Sequence, residues 1–148
     1  MIKRIDDSLP VITIVCFANY CRSPVAEYLM KEKYDGKFLI QSAGINPLSS
    51  ASMDDRSKEY LSSEGIDVGI HNPRRISDKM VDQSKYIFAL DFSILMQLNK
   101  LYKKNISKIK LLTYQTKNII LNDPYKLNHD EYMVVMNKIK EVVNKIDL

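Results

Sequence analysis

Four short apolar runs constrain this chain more than any other feature. VITIV (11–15), KFLI (37–40), YIFAL (86–90) and KIKLL (108–112) are each apolar at consecutive positions and partly β-branched. That pattern belongs to strands buried on both faces, as in a parallel sheet. Between them lie segments with helical spacing, at about 24–34, 54–63, 93–102 and 130–145. In the last of these, Tyr132, Val135, Met136, Ile139, Val142, Val143 and Ile146 fall on one helical face. The first predicted helix takes Ser23 as N-cap, Pro24 as first helical residue and Glu27 in its first turn. The second stops at Gly65. The order predicts an α/β fold, a single doubly wound domain whose four-stranded parallel sheet is flanked by helices on both faces. The length of 148 residues suits one core, so residues 1–148 are read as a single domain. Residues 1–10 form an N-terminal extension with no assigned function. Ligands of such sheets bind beyond the carboxyl ends of the strands, and Cys16 directly follows the first run.

Composition narrows the function classes. The chain is 45% hydrophobic and 27% charged, an ordinary globular mix. No apolar stretch approaches the roughly 20 residues that span a bilayer, so no membrane insertion is expected. MIKRIDDSLP has no apolar core of a secretory signal, and there are only two cysteines. A cytoplasmic location is therefore expected. The net charge of +4 is spread out, apart from Lys103, Lys104, Lys108 and Lys110, which reads as a solvated surface and not a nucleic-acid patch. His71 and His129 are far apart and unpaired with cysteines, so no metal site and no cofactor are expected.

The first run leads into VCFANYCRSP (15–24). If residues 16–23 curl, successive backbone N–H groups form a concave anion nest, and the following helix adds its positive end. Arg22 supplies a planar fork for two oxygens of a phosphate. A cysteine at the base of such a cup is held as a thiolate, able to attack phosphorus and form a covalent intermediate. The alternative is a small buried hydrophobe at a strand end. Such chemistry also needs an acid near the leaving oxygen. Among aspartates outside the predicted helices, Asp123 in NDPY is the candidate, with Pro124 fixing the loop, although Asp-Pro is also a common turn opener. His71 alone reads as a structural histidine. Arg74 and Arg75 are either exposed charge or a docking point for an acidic or phosphorylated partner.

VCFANYCRSPVAE resembles the phosphate-binding loop of the low-molecular-weight protein tyrosine phosphatases, written V-C-x-G-N-x-C-R-S-P-x-A-E. The resemblance continues, in the family's order, through SAGI (42–45), D-x-R (54–56), GIDVGIHNPRRI (65–76), KYIFALD (85–91) and DPY (123–125). It implies a phosphatase that hydrolyses protein phosphotyrosine through a cysteinyl-phosphate intermediate. Cys16 would be the nucleophile, Arg22 the phosphate clamp and Asp123 the general acid and then base. Phe17, Ala18, Asn19, Tyr20, Cys21 and Ser23 would form the phosphate loop. Asn19 would hold its shape together with Ser42 and His71, and Ser23 would donate to the Cys16 sulfur. Asp91 would support His71. Tyr20, Leu48 and Tyr125 would wall the pocket. The resemblance implies phosphotyrosine proteins as substrates. Bacterial relatives commonly oppose tyrosine kinases of polysaccharide assembly, so such a kinase is the implied partner class. A monomer or weak dimer is expected.

Departures from the pattern set further expectations. Ala18 stands where the family has Gly, and a positive φ there would cost on the order of 1 kcal/mol. Tyr20 replaces a small aliphatic residue, and related arginine phosphatases carry Thr at that position. It would form an aromatic wall for a phosphotyrosine ring or crowd the mouth in favour of another phosphate ester. Lys126 after DPY and Leu48 in NPLSS resemble bacterial members. Cys21 beside Cys16 implies a reversible protective disulfide as one reading and a plain loop residue as the other. Competing functions are a protein arginine phosphatase, an arsenate reductase on the same fold, and a non-catalytic phosphate-binding module. The second needs relay cysteines, and none follows Cys21.

Overall fold

A computed structural model describes residues 9–48 and 52–148. Most of the N-terminal extension (1–10) lies outside the described residues. The elements run β1 (Val11–Cys16), α1 (Arg22–Lys33), β2 (Leu39–Gly44), α2 (Asp55–Ser63), α3 (Asp78–Gln83), β3 (Ser84–Ala89), α4 (Phe92–Leu101), a 3-10 turn (Lys103–Lys108), β4 (Ile109–Leu111) and α5 (His129–Lys145). The four strands form one parallel sheet in the order β2-β1-β3-β4. The expected α/β architecture is present.

Alternation along the strands sends apolar side chains to both faces. Ile12, Ile14 and Phe88 enter a core with α1 and α5 residues Val25, Met30, Tyr132, Met136 and Ile139. Val15, Ile87 and Ala89 enter a second core with Val81, Ile94 and Leu98 of α3 and α4. With both faces covered, β1 is buried at every position from Ile12 to Cys16, so its carboxyl end is rigidly placed. The chain crosses from β1 to β2 on one side and returns to β3 on the other. Cys16 therefore ends the strand at which the winding reverses, the usual ligand position in such sheets.

Several boundaries differ from the sequence reading. Helix α1 starts at Arg22 with Cys21 as its N-cap residue and no side-chain cap bond, so Ser23 is not the cap and Glu27 is not in the first turn. Ser23 is instead turned inward to the sulfur of Cys16. Strand β2 is Leu39–Gly44, displaced toward the polar QSAG because Ser42 spends its hydroxyl on buried partners and not on water. Helix α2 is capped by Asp54, whose side chain accepts from Arg56 N, and is followed by Gly65 at φ 75°. Helix α3 was not anticipated. At six residues it shows no helical period, and Ser77 caps it. Helix α5 begins after Asn128, which accepts from Glu131 N. Among the described residues no helix is long and apolar enough to cross a membrane.

Candidate active site

The loop between β1 and α1 gets its shape from where its carbonyls go. Cys16 O accepts from Ile45 N at 3.1 Å, Phe17 O from Asn46 N at 2.8 Å, Ala18 O from Leu48 N at 3.3 Å and Tyr20 O from Asp54 N at 3.1 Å. Asn19 O accepts from His71 Nε2 at 2.8 Å, which fixes the proton on that nitrogen, and Cys21 O accepts from Ser57 Oγ at 2.9 Å. Six consecutive carbonyls are thus held by surrounding segments. In a trans peptide the following N–H points the opposite way, so the N–H groups of residues 17–22 converge on the other side. That side is a cavity of about 300 Å³ lined by Cys16, Phe17, Ala18, Tyr20, Cys21, Arg22, Asn46, Pro47, Leu48, Asp123 and Tyr125.

Asn19 is the strained residue, at φ 51°. Asparagine tolerates that region better than most L-residues. Its Nδ2 donates to Ser23 Oγ and to Ser42 Oγ, both at 2.9 Å, and its Oδ1 accepts from Arg74 N at 3.1 Å. Ala18 is not in the left-handed region, so the expected strain does not fall on it. Ser23 Oγ accepts from Asn19 and lies 2.9 Å from Cys16 Sγ, so its own proton is free to be donated to a thiolate there. Ser42 Oγ likewise accepts from Asn19 and donates to Glu27 Oε1 at 2.6 Å, with Lys31 on the other Glu27 oxygen. Asn19, Ser23, Ser42 and His71 therefore form one buried network beneath the loop.

Arg22 is 2% exposed and lines the cavity. Its Nη1 donates to Asp91 Oδ2 at 2.8 Å and to Leu121 O at 2.6 Å. Among the described residues neither Nε nor Nη2 has a protein partner. Asp91 thus grips one corner of the guanidinium and leaves the other edge to a ligand. This corrects the expected pairing of Asp91 with His71. Asp91 also caps α4 through Ile94 N at 2.9 Å, which fixes its own position.

The mouth is aromatic and apolar. Tyr20 and Tyr125 pack edge to face with centroids 6.2 Å apart, and Tyr125, Leu48 and Phe17 are exposed. Burial, then the Asp54 charge, raises the Tyr20 phenol above its ordinary value, so it remains neutral. Asp123 faces the same cavity, its Oδ1 accepting from Tyr125 N at 3.1 Å in the turn that Pro124 bends. Cys21 is buried, and its thiol approaches Asp54 Oδ2 at 3.8 Å. Burial pushes that thiol up to about 12, the Tyr132 hydrogen bond opposing and the Asp54 charge reinforcing the shift.

Several contributors escaped the sequence reading. A Cβ on Gly44 would lie 2.8 Å from both Asn19 N and Phe17 O, so only glycine lets the loop rest against β2. Glu27 and Arg74 complete the Asn19 network. Arg74 Nε holds Ser42 O, and Arg75 Nη1 holds Ile45 O, so both arginines brace the segment behind the loop. These residues sat inside the quoted motifs, but their partners are distant in sequence. Among the described residues no group of three His, Cys, Asp or Glu side chains is arranged to hold a metal ion.

The geometry invites comparison with known proteins. The family model for low molecular weight phosphotyrosine protein phosphatases matches residues 11–147. The chain belongs to the low molecular weight phosphotyrosine protein phosphatase family. One relative, the low molecular weight protein-tyrosine-phosphatase Ptp of Acinetobacter johnsonii, is 31% identical over 121 residues, 81% of this chain and 82% of the relative. Two solved structures share the fold. The tyrosine phosphatase amsI of Erwinia amylovora is 23% identical with a TM-score of 0.86, covering 93% of this chain and 90% of that one. The YwlE arginine phosphatase of Geobacillus stearothermophilus is 19% identical with a TM-score of 0.85, covering 92% and 89%.

Proposed function

We propose that this protein hydrolyses phosphotyrosine in proteins through a cysteinyl-phosphate intermediate. The observation that carries the reading is the loop whose six carbonyls are all drawn outward, with Cys16 Sγ and the free edge of Arg22 on its inner side. Inward N–H groups and a guanidinium fork suit the equatorial oxygens of a phosphoryl group in flight.

In the first step the Cys16 thiolate attacks phosphorus and an S–P bond forms. The P–O bond to the tyrosine breaks, its electron pair stays on the phenolic oxygen, and Asp123 protonates that oxygen. In the second step the Asp123 carboxylate takes a proton from water, whose oxygen attacks phosphorus. The S–P bond breaks, orthophosphate leaves and Cys16 is again a thiolate. Ser23, donating to Sγ, stabilises the sulfur as leaving group. Asn19, Ser42 and His71 keep the loop in its strained form. The Tyr20–Tyr125 wall supports an aryl substrate, stacked by its ring. The protein acts in the cytoplasm, and the partner class is a tyrosine kinase of polysaccharide assembly.

Phosphotyrosine, phosphoarginine and phosphoserine peptides compared with the purified enzyme test the substrate class. Phosphotyrosine turnover dominates if the reading is right, and a preference for phosphoarginine overturns it. Asp123→Asn tests the acid. It slows phenyl phosphate more than p-nitrophenyl phosphate, since general acid catalysis contributes roughly 10²–10⁴-fold and matters most for poor leaving groups. Equal losses on the two esters remove Asp123 from that role.

A further inference from the structure

The segment that carries Asp123 lacks regular structure, yet its backbone is gripped from two directions. On its N-terminal side, Leu121 O accepts from Arg22 Nη1 at 2.6 Å. On its C-terminal side, Tyr125 O accepts from Arg56 Nη2 at 3.0 Å and Leu127 O from Arg56 Nη1 at 2.9 Å. Arg56 is itself immobilised. Nε and Nη2 both reach the Asp54 carboxylate at 3.0 Å, and the guanidinium lies 3.9 Å over the Tyr132 ring. Asp54 is 6% exposed. Its backbone N–H holds Tyr20 O in the phosphate loop, and its Oδ2 receives the Cys21 thiol. Burial works against the Asp54 charge, but the Arg56 bonds outweigh it and hold the carboxyl below its usual range. The side chain of Asp123, by contrast, bonds only to Tyr125 N within its own loop, among the described residues.

We propose that Arg56 is a positioning residue for the general acid, tying the loop that carries Asp123 to the phosphate loop through Asp54. The inference rests on the proposed role of Asp123. A guanidinium is required because one planar group must satisfy a carboxylate and two carbonyls on different edges. A lysine keeps the charge but cannot span all three. The acid loop then drifts, and a displacement on the order of 1 Å costs up to about 10²-fold when proton transfer limits the rate. The effect is selective. Attack by Cys16 does not pass through Arg56, so esters with activated leaving groups are slowed less.

The test compares wild type, Arg56→Lys, Asp123→Asn and the double variant on phenyl phosphate and p-nitrophenyl phosphate. For Arg56→Lys the expected loss of kcat/KM, which reports the step that expels the leaving group, is about 10-fold greater on phenyl phosphate than on p-nitrophenyl phosphate. In the Asp123→Asn background Arg56→Lys adds no further leaving-group discrimination, because the group it positions is gone. Arg56→Ala with added ethylguanidinium gives an independent reading: rescue is selective for phenyl phosphate. Equal losses on both esters, additive losses in the double variant, or unselective rescue overturn the proposal, since a merely structural arginine behaves in that way. Discrimination by Asp123→Asn without discrimination by Arg56→Lys refutes the role of Arg56 alone. Absence of discrimination by Asp123→Asn refutes the acid assignment beneath it.

Discussion

Replacing Gly44 by alanine probes the site at a residue whose side chain has no part in the proposed chemistry. Gly44 pairs with Cys16 in the sheet register, and its N–H and C=O bond to Arg74 O and Ile76 N at 2.8 and 2.9 Å. It is held on both sides and cannot retreat. Its φ lies outside the left-handed region, so the backbone itself accepts alanine. The obstacle is space. The new Cβ would meet Asn19 N and Phe17 O at 2.8 Å and Ala18 C at 3.0 Å, all backbone atoms of the phosphate loop. Restoring the 3.4 Å of ordinary contact moves the loop by about 0.6 Å. Overpacking of this kind costs roughly 1–3 kcal/mol of stability. A shift of that size in the N–H groups proposed to bind the phosphoryl oxygens costs roughly 10- to 100-fold in kcat/KM. Steady-state kinetics on p-nitrophenyl phosphate and urea unfolding measure both. A variant with wild-type kcat/KM and an unchanged unfolding midpoint refutes the claim that the loop rests on β2 at this point.

Three further predictions concern neighbouring groups. Arg22→Lys lowers kcat/KM by at least about 10²-fold on any phosphate ester, because one ammonium cannot hold Asp91 and Leu121 O while presenting two donors to phosphate; a loss below about 10-fold contradicts the clamp. Cys21 is raised from 9.0 to about 12, so its buried thiol contributes stability that is complete below pH 9 and is lost as pH climbs toward 12. The stability difference between wild type and Cys21→Ser therefore shrinks across that window, and a difference independent of pH refutes the shift. In the redox reading, Cys21 captures oxidised Cys16 as a disulfide that dithiothreitol reopens, faster at higher pH as the Cys21 thiolate fraction grows. Equal recovery of peroxide-treated wild type and Cys21→Ser sinks that role.

The strand, loop and first helix were legible because their signals are local: a β-branched run, a turn and a proline. The same holds for α5, whose apolar stripe spans four turns. What escaped was set by contacts across the fold. Strand β2 was foreshortened because Gln41 and Ser42 break its apolar run, yet Ser42 is polar in order to bridge Asn19 and Glu27. The backbone strain fell on Asn19 and not on Ala18, since the network of Asn19 side-chain bonds selects which residue turns left-handed. Asp91 was placed beside His71, whereas the ion pair that claims it reaches back 69 positions to Arg22. Gly44 gave no signal of its own, because nothing in SAGI states that another backbone will lie against it. Arg56 and Asp54 were visible as a motif, but their partners Tyr125 and Leu127 could be assigned only once α2 and the acid loop were brought together.

The most direct test of the account is the fate of the sulfur. Enzyme mixed with a phosphotyrosine peptide is quenched on the millisecond scale, digested and examined by mass spectrometry. The prediction is one phosphoryl group on Cys16, formed and consumed at rates consistent with turnover. Steady hydrolysis with Cys16 unmodified throughout, or with the phosphoryl group on another residue, contradicts it.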